Sequence, residues 1–250
     1  MLITDFKTIH IHSVTGSESG SCGFIKPHII LNIFQDIAEK SANSLNFGLQ
    51  KLQEQGLSWY LLNYHIKINN YPKYNDNIHF QTWPCTTIKG LKAVREFLVT
   101  NSDGEIIIMA SSAWLLVDLK TKRPVKLEKV SYKTFSQRVL ESEFEKISDI
   151  TDITNQKSFD VLYSEIDINK HVNNSIYFVW ALETIPPDIF TQYYPAEIEI
   201  SFKSNVNYGD KVNSICQIIN NKDKLVSLHK LNQEDTEKEL VRIRLKWSKF

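Results

Sequence analysis

Cysteine is scarce and unpatterned: Cys22, Cys85 and Cys216 are odd in number, far apart and without C-x-x-C spacing. That argues against a disulfide framework and a zinc-ligand set, and a reducing cytoplasmic setting is expected. Charge of one sign is missing too. Lys plus Arg and Asp plus Glu both number 29, so the formal net charge is +0 and nothing attracts nucleic acid in general; an acidic partner has to be met by a local patch. No apolar run approaches the length that spans a bilayer, and the opening Met1-Leu2-Ile3-Thr4-Asp5-Phe6 includes an acid, so no membrane partner is expected. Without a secretory signal, the match of Asn173-Asn174-Ser175 to a glycosylation acceptor carries no weight. There is no glycine-rich phosphate loop, and Gly16-Ser17-Glu18-Ser19-Gly20 has Glu18 where a nucleophile elbow needs Ser. His10 and His12 alternate on a strand, but no carboxylate or Cys cluster follows, so no metal and no other cofactor is expected.

What is present begins with size. At 250 residues, 42% hydrophobic and 23% charged, the chain is long enough for one large or two small cores and is not expected to be disordered. A strand over 6–14 precedes Lys26-Pro27-His28, which opens a helix with Pro in a tolerated first-turn position, and Ile29, Ile30, Ile33, Phe34, Ile37 and Ala38 recur at helical spacing until Asn46-Phe47-Gly48. Strand patterns follow at 57–68, 78–83, 93–100 and 105–118, with Asn101-Ser102-Asp103-Gly104 as a hairpin turn. The order then repeats: a strand at 158–163, a helix at 174–185 stopped by Pro186-Pro187, and strands at 197–203, 212–219, 225–231 and 240–247. In the last strand Val241, Ile243, Leu245 and Trp247 oppose Arg242, Arg244 and Lys246, which predicts one buried and one wet face. Two α+β halves are expected, 1–128 and 157–250, joined by a polar, partly helical linker at 129–156.

Chemistry concentrates in the second half. Asp167-Ile168-Asn169-Lys170-His171 sets an acid, an amide and an imidazole at every second position, one face of an extended segment, and runs directly into the amphipathic stretch Asn174 to Glu183. Unpaired backbone N–H groups and the positive end of a helix favour an oxyanion there, while the three side chains can position and deprotonate water. Asn173 or Asn174 is read as the helix cap, and Tyr177, Trp180 and Ala181 as core.

The segment DINKHVNNSIYFVWALE resembles the catalytic segment of the acyl-acyl-carrier-protein thioesterases, and further pieces match in order: Thr82-Trp83-Pro84, Gly90, Arg95-Glu96-Phe97, Ala110 to Trp114 with Asp118, Thr121 to Pro124, Glu199 to Lys203 and Gly209-Asp210. The resemblance implies two tandem hot-dog domains, each a long central helix wrapped by an antiparallel sheet, and release of fatty acid from acyl carrier protein. The first would form the acyl pocket, the second would be catalytic, and the assembly a monomer with pseudo-dimeric halves or a homodimer. It implies Asp167, Asn169 and His171 as catalytic residues, with His171 as the base. Asn173 and Asn174 would offer backbone N–H groups to the oxyanion, and Trp83 and Trp114, read first as packing residues, could line the acyl tunnel.

One departure matters. Where plant members carry a Glu-Cys pair after the catalytic helix, this chain reads Asn205-Val206, so a thiol nucleophile is excluded there and Asn205 is left to position the water. Glu199 would share its face in a regular strand, yet six strand residues span about 20 Å, too far to substitute. The alternatives are an acyl-CoA thioesterase or dehydratase-like hot-dog enzyme, or a non-catalytic carrier binder. Lys89 and Lys92, with Lys120, Lys122 and Arg123, fall in expected turns and are the candidate contacts to an acidic carrier.

Overall fold

Pro27 starts the longest helix among the described residues because its missing N–H falls where the first turn leaves donors unpaired. The computed structural model describes residues 3–4, 7–88, 91–130, 134–221 and 224–250. The chain divides between Phe144 and Glu145 into two units.

Unit 1 contains strands β1 (Ile3–Thr4) and β2 (Lys7–Ser13), helices α1 (Pro27–Ser44) and α2 (Leu49–Gln53), and strands β3 (Leu57–Ile68), β4 (Asn77–Ile88), β5 (Lys92–Thr100) and β6 (Ile106–Asp118). The strands pair antiparallel in the order β1-β2-β4-β5-β6-β3. Helix α1 buries Ile30, Ile33, Phe34, Ile37, Ala38 and Ala42, one stripe at three- and four-residue spacing. Phe34 is the hub of that stripe, its ring 4.4 Å from Phe97, 5.8 Å from Phe80 and 6.3 Å from Tyr64 by centroid. The helix ends at Ser44, and Asn46 turns left-handed with φ 64°, a conformation Asn tolerates, so that Phe47 N–H can bond back to Ala42 O at 3.0 Å. The expected hairpin turn is also present, with the Asn101 side-chain oxygen accepting from Asp103 N–H and Glu105 N–H and Gly104 at φ 83°.

The expected partly helical linker is not what forms. One short 3-10 turn occupies Leu127–Lys129, and the described residues from there to 144 run without regular helix in unit 1. The reason lies on β4, β5 and β6, whose Trp83, Glu96 and Ser111 are cross-strand neighbours on one face. Glu96 is fully buried and accepts from Ser111 Oγ at 2.8 Å, Arg138 Nε at 2.6 Å, and the backbone N–H groups of Val139 and Leu140 at 3.2 Å. Trp83 donates its indole N–H to Gln137 O at 2.8 Å. A helix would consume those backbone groups internally, whereas an extended strap can offer them to the sheet.

Unit 2 contains β7 (Asn155–Asp160), α3 (Asn174–Leu182), α4 (Pro187–Gln192), β8 (Tyr193–Phe202), β9 (Lys211–Asn221), β10 (Lys224–Gln233) and β11 (Glu239–Lys249), with sheet order β8-β11-β10-β9-β7, again antiparallel. Helix α3 packs on β9, β10 and β11. It stops at Leu182, three residues before the sequence pattern suggests, because Thr184 turns both its N–H and its hydroxyl onto Ala181 O, at 3.1 and 2.7 Å. The strand expected at 158–163 is β7 at 155–160, and a 3-10 turn occupies Tyr163–Glu165.

On β11 the apolar alternation holds, but the opposite face is not wet along its length. Arg242 is only 7% exposed. It is forked by Glu239 at 2.5 and 2.9 Å and paired with Asp149, while Arg244 meets Glu199 on β8 and Lys246 meets Glu197 at 2.7 Å. Each cation has a carboxylate on its own strand, on the neighbouring strand or in the 145–149 segment; Arg242 is buried, Arg244 half-buried, and Lys246 stays exposed as expected. Hydrogen bonding to Arg242 pulls the Glu239 carboxyl down to about 2.

A second polar device lies in the core. Trp247 Nε1–H donates to Ser227 Oγ at 3.0 Å, Ser227 Oγ lies 2.9 Å from His229 Nε2, and His229 Nδ1 lies 3.3 Å from Thr184 Oγ1. Because Thr184 donates to Ala181 O, it must accept from His229 Nδ1–H, which leaves Nε2 to accept from Ser227. His229 is therefore neutral with its proton on Nδ1, and burial pushes its pKa from 6.5 down to about 3.

Two outcomes are expected. Below pH 6.5 the unfolded chain binds this proton and the folded chain does not until about pH 3, so stability falls as pH drops through that window. The loss should reach ~2 kcal/mol at about pH 5, and urea unfolding of His229→Gln should show a correspondingly smaller loss. Glu96→Ala strands Arg138 and two backbone donors, and should cost about 3–5 kcal/mol in denaturant unfolding; a loss below roughly 1 kcal/mol would mean the strap is held by other contacts.

Candidate active site

The residues before α3 do not form the extended segment that their spacing suggests. Ile166 and Val172 bridge, Asp167 N–H bonds to His171 O at 2.8 Å and Lys170 N–H to Asp167 O at 2.9 Å, so 167–171 is a closed turn. Lys170 sits left-handed at φ 64°. The Asp167 carboxylate explains the closure: Oδ1 accepts from Asn169 N–H at 2.8 Å and His171 N–H at 3.4 Å, and Oδ2 lies 3.5 Å from Asn169 Nδ2. An acid at the head of a turn gathers the donors that the turn leaves unpaired. Asp167 and Asn169 thus meet side chain to side chain, whereas Asp167 reaches His171 through its backbone. His171 is half-buried, Asn169 is exposed, and Ile168 at the tip is 79% exposed.

Asn173 caps the helix. Its side-chain oxygen accepts from Ser175 N–H at 3.0 Å, and its own N–H donates to Glu165 O at 2.9 Å, so both are committed to local structure. Asn174 is the first helical residue, also half-buried.

Asn205 is exposed in the 203–210 loop, because β8 ends at Phe202 before the strand can carry it. Glu199 stays on the strand in its ion pair with Arg244. The loop is held beside the turn by Val206, whose N–H donates to the Tyr177 hydroxyl at 3.1 Å and whose O accepts from Val172 N–H at 3.5 Å. The neighbours of Asn205 and His171 are therefore bonded to each other. Sequence pattern reads Tyr177 only as core; its helical spacing gave no sign of the hydroxyl contact.

The two tryptophans separate. Trp83 is fully buried on the strap-covered face of the unit 1 sheet, packed edge-on against Phe135, with Lys7 Nζ 4.5 Å above its ring. Trp114, cross-strand from Ala93, lines a cavity with Phe47, Trp59, Ala38 and Ala42, to which Arg95 and Glu39 add polar atoms. Strand alternation puts Ala93 and Arg95 on the face opposite to Glu96 and its neighbour Trp83, so Trp83 is not part of that wall. The sequence does hold a signal for the cavity: Ala38 and Ala42 are small, four apart on α1, and face small Ala93.

Of the basic positions, Lys89 lies outside the described residues. Lys120, Lys122 and Arg123 are exposed in a turn braced by Asp118, whose Oδ1 accepts from Lys120 N–H at 3.0 Å and Thr121 N–H at 2.8 Å. The Thr121 bond leads the contacts that hold the Asp118 carboxyl below its usual range.

The chain matches two family descriptions in succession, the acyl-ACP thioesterase N-terminal domain over residues 7–135 and the acyl-ACP thioesterase C-terminal domain over 148–249. It is 30% identical over 176 residues to a chloroplastic acyl-[acyl-carrier-protein] hydrolase of Cuphea viscosissima, covering 64% of this chain and 42% of that protein. It is 25% identical over 258 residues to a chloroplastic palmitoyl-acyl carrier protein thioesterase of Gossypium hirsutum, covering 94% of this chain and 62% of the relative. The chain thus spans about half the length of these curated relatives. Two solved structures share the fold: the 12:0-ACP thioesterase of Umbellularia californica, with TM-score 0.89 and 20% identity over 98% of this chain and 95% of that one, and an acyl-ACP thioesterase of Bacteroides thetaiotaomicron, with TM-score 0.88 and 20% identity over 99% and 100%. With both family domains matched in order and the fold shared nearly end to end, the chain belongs to the acyl-ACP thioesterase family.

Proposed function

We propose that this chain hydrolyses the thioester of fatty acyl-acyl-carrier protein and releases the free fatty acid. The observation that carries the reading is the braced turn of Asp167, Asn169 and His171 leading into α3, in a chain of this family. Each unit is read as a hot-dog domain, the first housing the acyl chain in its alanine-floored cavity and the second providing the chemistry.

In the proposed reaction a water attacks the thioester carbonyl, a tetrahedral oxyanion forms, and the carrier thiolate leaves. His171 takes the proton from the attacking water and gives it to the departing sulfur, so that the carrier thiol is released and the imidazole is neutral again. Asp167 acts by holding the turn. Asn169, exposed beside it, donates its amide to the carbonyl oxygen or the water, and Asn205 orients the water from the neighbouring loop. A positioned base is worth roughly 10²–10⁴ in rate and one oxyanion donor about 10²–10³, enough for an already activated thioester. Among the described residues no helix is long and apolar enough to cross a membrane.

The deciding experiment is a turnover screen of carrier-bound and CoA-bound acyl groups from butyryl to stearoyl. Hydrolysis of carrier-bound substrates is expected; hydrolysis of CoA substrates alone would favour the acyl-CoA reading, and none at all the binder reading. Within it, His171→Ala should lower kcat/KM by roughly 10²–10⁴ while leaving the unfolding midpoint near wild type. If Asn205 lies at the water site, Asn205→Asp should favour the protonated imidazole and move the acidic limb of the kcat/KM profile to higher pH, unless the new carboxylate takes over as base and moves it lower; either displacement places Asn205 in the site. An unmoved limb with an unchanged rate would put Asn205 outside the site.

A further inference from the structure

Tyr177 stands on the fourth residue of α3 and is 1% exposed. Its ring is fixed by edge-on contacts to Trp180 at 5.4 Å and Phe202 at 6.3 Å, and Trp180 in turn stacks on Phe159 at 5.9 Å. A phenol clamped this way aims its hydroxyl, and the aim is at the backbone of the 203–210 loop. Val206, equally buried, gives its N–H to that oxygen. Water is excluded there, so without the hydroxyl the donor would be stranded.

The rest of the loop is tied elsewhere. Lys203 and Ser204 N–H bond to Leu240 O, Asn207 N–H to Asp210 Oδ2, and Gly209 N–H to Val161 O. The Val206 anchor also bonds to the turn before α3, through Val172 N–H on Val206 O, while Tyr208 meets Tyr163 edge-on at 6.0 Å. The path from the phenol to the two proposed side chains is therefore short: Tyr177 holds Val206, Val206 carries Asn205 as its neighbour, and its carbonyl holds Val172, the neighbour of His171.

We propose that Tyr177 is a positioning residue for the hydrolytic site, its buried hydroxyl setting the spacing between the loop that presents Asn205 and the turn that presents His171. The inference rests on the hydrolase reading but adds a residue that the acid, amide and imidazole pattern does not contain. Burial pushes the phenol pKa up, and the nearby Asp167 and Asp210 carboxylates add to this against the Val206 bond, so the group stays a neutral hydroxyl under working conditions. It neither touches the thioester nor moves a proton. Its effect is on geometry that matters in the transition state more than in substrate binding.

Tyr177→Phe removes one oxygen and keeps the ring in its aromatic cage. In the full chain, with lauroyl-acyl carrier protein as substrate, kcat should fall roughly 10- to 100-fold while KM stays within about twofold. Hydrogen exchange followed by NMR should show the Val206 amide exchanging about tenfold faster or more, with the β9, β10 and β11 amides unchanged, which rules out a smaller folded fraction as the cause of lost rate. A kcat within about twofold of wild type beside a faster Val206 amide would overturn the inference, and so would a Val206 amide that does not change. A wild-type chain inactive on every acyl thioester would sink the hydrolase reading separately, and the Val206 amide would then decide by itself whether the tie exists.

Discussion

The turn before α3 depends on one carboxylate. Asp167 gathers the N–H groups of Asn169 and His171, and in doing so converts five residues that would otherwise be extended into a closed loop whose next residues enter the helix. The two residues proposed to act on substrate are positioned from the backbone outward. The geometry of an acid at this position is therefore spent on the turn.

The same solution recurs at several other turns. Gly23, Gly56, Gly104 and Gly209 supply positive φ at four turns, and acidic or amide side chains brace turns as well. Asp76 accepts from Lys73 N–H, Asp118 from Lys120 and Thr121, Asp210 from Asn207, Glu165 from Leu162 and Glu18 from Thr15. Glu96 is the buried extreme, joining two backbone donors, a hydroxyl and Arg138 to hold a strap over a sheet face. A chain with equal numbers of acids and bases thus uses part of its acidic complement as internal scaffolding.

Periodicity carried the regular elements well. The strand at 57–68 was legible to the residue, because Gly56 and the alternating apolar run bound it from sequence alone, and the helix on Pro27 followed from a stripe wide enough to read at 3.6-residue spacing. What escaped was set by partners distant in sequence. The strap around 138 looked helical because its pattern says nothing of Glu96, 42 residues upstream, and Arg242, on the face of β11 expected to be wet, is buried where it pairs with Glu239 and with Asp149 in a segment with no strand signal. In the turn before α3 the sequence pattern did not show the backbone arrangement. Alternation at 167, 169 and 171 suggested one face of a strand, and a single side chain accepting two backbone bonds was enough to override it.

The polar chain through the core of unit 2 runs in one direction only: from the Trp247 indole to Ser227, to His229, to Thr184 and finally to the Ala181 carbonyl. Polarity in such a chain is a collective property, because reversing one link would require every hydroxyl and the ring tautomer to reverse with it, and the indole at its head can only donate. The terminal acceptor is also the carbonyl at which α3 ends. The length of the helix that follows the His171 turn is thereby registered against the last strand of the chain, so the helix cannot gain a turn without breaking a circuit that begins 66 residues away in sequence, at Trp247.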